Sequence, residues 1–225
     1  MKRSIYTQVS LDLTNIKEAL PMAEIAAHVG IDWLEAGTPL ILGEGLRAVK
    51  ALRERFPEHP IVADLKTMDG AGLEAEMMLD AGATHVVVMS QAHWASVTEM
   101  VKMADRYKGY VMADVLNAPD KALAAKRMQE LGADWIIVHT GYDERRYVKG
   151  GSPLDDLQSV LDAVSIPVQA VGGLSIEQAL QCVKMGADSL VIGAPLAINA
   201  DKFAVGDDYE TILKDVVGRV KSMSD

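Results

Sequence analysis

Gly132-Ala133-Asp134-Trp135-Ile136-Ile137-Val138-His139 joins a glycine to a run of core-type residues that ends in a histidine. The same pattern stands at Gly30-Ile31-Asp32-Trp33-Leu34-Glu35-Ala36-Gly37, at Gly82-Ala83-Thr84-His85-Val86-Val87-Val88-Met89 and at Gly186-Ala187-Asp188-Ser189-Leu190-Val191-Ile192-Gly193. The first glycines fall at 30, 82, 132 and 186, so the chain repeats every 50 to 54 residues. Each block reads as a helix end, a glycine C-cap and a buried strand. Between blocks there is room for a helix, a further strand and another helix. Residues 61–66, 110–116 and 168–171 supply those strands, and residues 6–12 open the series. Helical patterns follow the strands, among them residues 16–28, 46–55, 73–81 and 176–185. Eight alternating units in a chain of this length imply a closed (β/α)8 TIM barrel of the α/β class, one domain over residues 1–225. An open doubly wound sheet is the alternative topology, but nothing in it limits the count to eight. A propeller or solenoid of this period would lack the alternation of strand and helix within each repeat. Residues 199–209 are the least regular stretch, and residues 209–223 read as the closing helix.

Composition agrees with that architecture. Hydrophobic residues make up 49% of the 225 positions and aromatic ones only 5%, which predicts an aliphatic core of parallel strands covered by helices. A net charge of −10 argues against nonspecific binding to nucleic acid or an anionic membrane. Cys182 is the single cysteine, so there is no disulfide framework, and its helical setting predicts a small buried residue. The N-terminal Met1-Lys2-Arg3-Ser4-Ile5 runs into a strand without the apolar segment of a signal peptide, and no apolar run reaches the ~20 residues of a membrane span. A cytoplasmic protein is expected.

In a TIM barrel the chemistry belongs at the C-terminal ends of the strands. Asp12 ends the first strand, Glu35 the second, Asp64 and Lys66 the third, Ser90 and Gln91 the fourth, Asp114 and Asn117 the fifth, and His139 with Thr140 the sixth. The last two strands end in Gly172-Gly173 and Gly193-Ala194. Asp64-Leu65-Lys66-Thr67-Met68-Asp69 concentrates two carboxylates and an ammonium where a buried strand stops, and buried charges are costly unless paired. In an extended strand Asp64 and Lys66 point to the same face. A lysine flanked by carboxylates stays protonated and can stabilise an enolate or supply a proton to a carbanion. Standing alone, the segment would read as a solvated turn with an ion pair, Glu35 as a helix cap or a lysine's partner, and His139 as a hydrogen-bonded core histidine. The shared rim changes those readings.

Gln8-Val9-Ser10-Leu11-Asp12, Glu35-Ala36-Gly37-Thr38-Pro39-Leu40-Ile41, Ala63-Asp64-Leu65-Lys66-Thr67-Met68-Asp69, His139-Thr140-Gly141-Tyr142-Asp143 and Val171-Gly172-Gly173 together resemble the orotidine monophosphate decarboxylase superfamily. Within it they are most similar to the branch of 3-hexulose-6-phosphate synthase and 3-keto-L-gulonate-6-phosphate decarboxylase. The resemblance covers nearly the whole chain, and its Asp-x-Lys-x-x-Asp signature is specific when it ends the third barrel strand. It implies an Mg²⁺ ion held by Glu35 and Asp64, substrate contacts from Asp12 and Lys66, and proton shuttling by His139. It also implies a homodimer in which Asp69 reaches the partner's site, and a phosphate seat at Gly172, Gly173, Gly193 and Ala194.

Two departures narrow the reading. Tyr142 stands where the decarboxylases of the branch carry an arginine, which favours the synthase. No arginine follows Gly193, so phosphate is expected to rest on the backbone N–H groups of Gly173 and Ala194, with Pro195 unable to donate. The expected activity is Mg²⁺-dependent aldol addition of formaldehyde to D-ribulose 5-phosphate. The rivals are decarboxylation of a β-keto sugar acid phosphate and, in another class, a noncatalytic barrel that binds sugar phosphates.

Overall fold

A computed structural model describes residues 4–194 and 209–223. Eight strands alternate with ten helices among them: β1 (Tyr6–Leu11), α1 (Ile16–His28), β2 (Trp33–Ala36), α2 (Thr38–Glu44), α3 (Arg47–Arg55), β3 (Ile61–Thr67), α4 (Ala71–Asp80), β4 (His85–Met89), α5 (Trp94–Tyr107), β5 (Tyr110–Asp114), α6 (Lys121–Glu130), β6 (Trp135–His139), α7 (Tyr142–Tyr147), α8 (Leu154–Ala163), β7 (Val168–Val171), α9 (Ile176–Met185), β8 (Ser189–Ala194) and α10 (Tyr209–Ser222). The strands form a closed parallel barrel in sequence order, with β8 returning to β1 in the register Ser10↔Gly193 and Leu11↔Ala194. The expected TIM barrel is therefore observed. Positions 195–208, which include Pro195 and most of the stretch read as irregular, lie outside the described residues.

The repeat has a physical basis beyond its glycines. Gly30, Gly82, Gly132 and Gly186 all take positive φ (91°, 109°, 99° and 127°), as a glycine that ends a helix and redirects the chain does. Two residues later, the side chain accepts the N–H at the start of the preceding strand. Asp32 receives Thr7 N–H at 2.7 Å, Asp134 receives Val111 N–H at 2.8 Å, Asp188 receives Val168 N–H at 2.9 Å, and the Thr84 hydroxyl receives Ile61 N–H at 2.9 Å. Each block thus fastens an odd-numbered strand to the even-numbered one that follows it. Asp32 also holds Lys221 of α10 at 2.6 Å, tying the last helix to the base of the barrel.

Two cores result. The one between sheet and helices is aliphatic, as composition predicts, and includes Val9, Leu11, Leu34, Ile136 and Leu190. The barrel interior is a separate cluster of Trp33, Val62, Val87, Met112, Trp135 and Ile137, so the aliphatic expectation is corrected there. Its floor is aromatic: Tyr6 stacks on Trp33 at 5.1 Å, Trp135 meets Trp33 edge-on at 4.8 Å, and His85 lies between Trp33 at 4.7 Å and Tyr110 at 4.9 Å. The wide rings fill the barrel below the site, where aliphatic chains of the outer core would leave voids.

Burial in that floor pushes the His85 imidazole down to about 4. An imidazole that resists protonation when folded contributes full stability above its unfolded pKa near 6.5 and loses it as pH falls toward 4. The loss amounts to about 3 kcal/mol. His85→Phe is expected to remove most of it, so urea unfolding at pH 7.5 and 4.5 should differ less for the variant than for the parent. An equal drop in both proteins would place the acid sensitivity elsewhere.

Candidate active site

The open C-terminal end of the barrel is a cavity of about 840 Å³, within the range of small-molecule sites. Its wall includes Asp12, Glu35, Asp64, Lys66, Asp114, His139, Gly172, Gly173 and Gly193, so it gathers most of the residues singled out at the strand ends. Asp69, Ser90, Gln91, Asn117 and Thr140 are not on it. The Asp69 carboxylate lies 3.5 Å from the Ser96 hydroxyl of α5. Gln91 donates to the Leu116 carbonyl. Thr140 is packed against Gly172, where an added Cβ would come within 2.6 Å of the Thr140 carbonyl oxygen. Ala194 is the last residue of β8.

The charges at the end of β3 form a connected set. Lys66 Nζ donates to Asp64 Oδ2 at 2.7 Å and lies 3.5 Å from Asp114 Oδ2. Asp114 Oδ2 also receives His139 Nδ1 at 2.8 Å, and its Oδ1 receives Leu116 N–H at 2.8 Å. Asp114 is thus the junction between the lysine and the histidine, a role that its place at the end of β5 did not reveal. The expectation of an extended strand is corrected at Lys66, which has φ 52°. Between Ala63 and Thr67, β3 advances four residues while β4 advances two, from Val86 to Val88. The bulge lifts Asp64 and Lys66 into the mouth, so their meeting comes from a local distortion, and such distortions cluster where side chains are re-aimed at a site.

Burial works against the Lys66 ammonium, but Asp64 and Asp114 outweigh it and hold its pKa above the ordinary lysine value. Lys66 is a fixed cation, as the flanking carboxylates predict. Asp114 is also buried, yet His139, Lys66 and the Leu116 N–H bring its pKa below the usual carboxylate range. It is held as the anion that pairs with Lys66 and accepts from His139 Nδ1.

A polar layer beneath this set was missed in the sequence. Ser10 Oγ donates to Glu35 Oε1 at 2.9 Å and lies 3.0 Å from Asp12 Oδ1. Gln8 donates to Glu35 Oε2 and accepts from Gln169 Nε2 at 3.0 Å, which also reaches Ser189 Oγ at 3.0 Å. The available signal was the polar residues Gln8, Ser10 and Gln169 inside otherwise apolar parallel strands. Burial, followed by the charges of Asp64 and Asp12, pushes Glu35 well above the usual carboxylate range. Burial and then Asp64 push Asp12 up as well.

These carboxylates fit a hard divalent cation. Asp64 Oδ1 is buried without a hydrogen-bond partner, facing the side not taken by Lys66. Glu35 and Asp12 repel it across a low-dielectric site, the field that a cation relieves. Among the described residues no three His, Cys, Asp or Glu side chains come together as a metal cage; Mg²⁺ is commonly held by one or two carboxylates with waters and substrate oxygens.

One cation on the wall was not anticipated. Arg145 of α7 reaches back to Gly173, where an added Cβ would lie 2.5 Å from the guanidinium carbon. An arginine thus stands at this end of the cavity beside the glycines expected to seat phosphate, supplied by the element after β6.

Comparison with known proteins agrees with this geometry. The model of the orotidine 5′-phosphate decarboxylase / HUMPS family matches residues 6–209. The 3-hexulose-6-phosphate synthase of Bacillus subtilis (strain 168) is 34% identical over 196 residues, covering 87% of this chain and 92% of that one. A crystal structure of 3-hexulose-6-phosphate synthase superposes with a TM-score of 0.83 at 31% identity, covering 94% of this chain and 99% of the other. The 3-keto-L-gulonate-6-phosphate decarboxylase from Vibrio cholerae O1 biovar El Tor gives 0.77 at 27% identity, over 98% and 99% of the two chains.

Proposed function

The chain belongs to the orotidine 5′-phosphate decarboxylase / HUMPS family of enzymes, and from that premise we propose that it is an Mg²⁺-dependent aldehyde-lyase joining formaldehyde to D-ribulose 5-phosphate. The observation that carries this reading is the Asp64–Lys66–Asp114–His139 chain of contacts at the cavity mouth. It puts a permanent cation and a proton carrier on one anion, which is what forming and quenching an enediolate needs. Tyr142, on the cavity wall in place of the decarboxylase arginine, favours formaldehyde over carbon dioxide as the one-carbon partner. The second reading is decarboxylation of a β-keto sugar acid phosphate, favoured by the likeness to the Vibrio decarboxylase. The reading places the enzyme in the cytoplasm, where phosphorylated sugars are kept. No helix among the described residues is long and apolar enough to cross a membrane.

In this mechanism Asp114 accepts the Nδ1 proton of His139, which leaves Nε2 as the basic nitrogen. His139 Nε2 takes a proton from C1 of the ketose, and the electron pair passes through C2 to the carbonyl oxygen to give the enediolate. Lys66, a fixed ammonium, stabilises the developing negative oxygen. Its raised pKa makes it a poor proton donor, so proton movement falls to His139. C1 then bonds to the formaldehyde carbon, and the new alkoxide takes the proton back from His139. Glu35 and Asp64 would hold Mg²⁺, which when bound supplies Lewis-acid stabilisation of the negative oxygens. Incubation with ribulose 5-phosphate should consume formaldehyde stoichiometrically. Release of carbon dioxide from a keto acid phosphate without formaldehyde turnover would select the second reading.

We further propose a homodimer with composite sites. Asp69 is not on its own chain's cavity wall, and Met68, Leu73, Met77 and Trp94 near it are 49%, 65%, 47% and 52% exposed, an apolar surface that a second copy would cover. Equal mixing of inactive Lys66→Ala and Asp69→Ala proteins is expected to restore about a quarter of the parental activity, since half the random dimers are hybrids with one intact site. No recovery despite subunit exchange, shown by differently tagged chains, would mean that each site is built from one chain.

A further inference from the structure

The cavity wall carries five carboxylates, Asp12, Glu35, Asp64, Asp114 and Glu177, against two permanent cations, Lys66 and Arg145. Lys66 is engaged by Asp64 and Asp114. Arg145 has no ion pair among its described contacts. Its Nε donates to the Gly141 carbonyl at 3.3 Å, and its guanidinium sits 5.8 Å from the Tyr142 ring centroid. Burial lowers its pKa and outweighs Tyr142 and Asp12, which act on it only through their longer-range field, because a half-buried guanidinium without a contact ion pair is unfavourable. A cation in that state on a cavity wall is suited to an anion that arrives with the ligand.

Gly173 is matched to this side chain. It has φ 59°, and a Cβ there would enter the space of Arg145 Nη1. Glycine is thus required for the guanidinium to lie on the loop after β7, in addition to the backbone conformation itself. At this end of the cavity, Gly172, Gly173 and Gly193 bring main chain to the surface; Asp12, Glu35, Asp64 and Asp114 gather around Lys66, and Glu177, in the first turn of α9, is tied to Ser175 at 3.2 Å.

We propose that Arg145 grips the terminal phosphate of the substrate against Gly172-Gly173 and thereby sets the preference for phosphorylated over free sugars. The proposal rests on the reading of this cavity as a sugar-phosphate site. A charge-assisted contact of this kind corresponds to roughly 10- to 100-fold in affinity. R145A is expected to raise KM for ribulose 5-phosphate by about that factor with kcat changed less than threefold, and to abolish competitive inhibition by inorganic phosphate. R145K should recover part of both, whereas R146A, on the exposed side of Tyr142, should change neither. G173A should resemble R145A, and the double variant should be no worse than the poorer single one, because both remove one contact. Calorimetric titration with ribulose 5-phosphate and, separately, with inorganic phosphate supplies the readout independent of turnover. Should R145A fail to fold by circular dichroism, R145K and R145Q carry the comparison. Unchanged KM and unchanged phosphate affinity in a folded Arg145 variant would overturn the proposal, as would a parent protein that binds neither phosphate nor any phosphorylated sugar. A parent that binds phosphate through Arg145 but turns over no ribulose 5-phosphate would instead leave this site standing and remove the proposed reaction.

Discussion

Asp114→Asn is expected to lower kcat by roughly 10²- to 10⁴-fold while leaving the fold intact. The Leu116 N–H at 2.8 Å fixes which end of the new amide sits where, because only an oxygen can accept it. The amide nitrogen then occupies the Oδ2 position, 2.8 Å from His139 Nδ1 and 3.5 Å from Lys66 Nζ. An NH₂ group cannot accept from either. His139 must turn its unprotonated nitrogen toward the amide, which moves its proton to Nε2, the atom that has to receive one from substrate. Lys66 also loses one of the two carboxylates that hold it. Two failures thus follow from one isosteric change, and both act on the chemical step, so KM should move far less than kcat. Steady-state kinetics with a circular dichroism control checks this, and a kcat within tenfold of the parent would show that Asp114 does not orient the histidine.

The fold was legible because it is written four times. Each glycine of the repeat caps a helix, and each Asp32, Thr84, Asp134 or Asp188 fastens a neighbouring strand, so one local rule fixes half the barrel's connections. Ordinary periodicity also gave the bounds of α1, α9 and β7. The short α2 and α7 were not read, since six or seven residues hold too few turns for a helical period to show. In the site, Glu35, Asp64, Lys66 and His139 were visible because charged or titratable residues are out of place at the ends of apolar strands. What stayed hidden depends on relations between distant segments. The Lys66 bulge is a property of β3 paired with β4, the role of Asp114 depends on which side chains β3 and β6 aim at it, and Arg145 has meaning only once β7 brings Gly173 beneath it. The aromatic floor was hidden for the same reason: Tyr6, Trp33, His85, Tyr110 and Trp135 are scattered over 130 positions and meet only inside the closed barrel.

Joint replacement of Glu35 and Asp64 by Ala is expected to reduce turnover by at least 10³-fold, and EDTA should reproduce that loss in the parent. Glu35 is 6% and Asp64 9% exposed, with Asp12 on the same wall. Ser10 and Gln8 satisfy Glu35, and Lys66 satisfies one oxygen of Asp64, but Asp64 Oδ1 is left buried without a donor. Burial and the charge of Asp64 raise the cost of ionising Glu35, and a cation shared by the two carboxylates relieves it, so binding should stabilise the fold as well as the reaction. At a concentration of Mg²⁺ about a hundredfold above its dissociation constant, linkage gives close to 3 kcal/mol, or about 5–10 °C in Tm for a chain of this size. The double variant should show no such shift, and with its mutual repulsion removed it should melt no lower than the metal-free parent by more than the two lost hydrogen-bond sets explain. Thermal melts with and without Mg²⁺ separate binding from catalysis. Full activity in EDTA, or an equal Mg²⁺ shift in parent and variant, would remove the metal from the mechanism and leave the enediolate to Lys66, the cation that Asp64 and Asp114 hold.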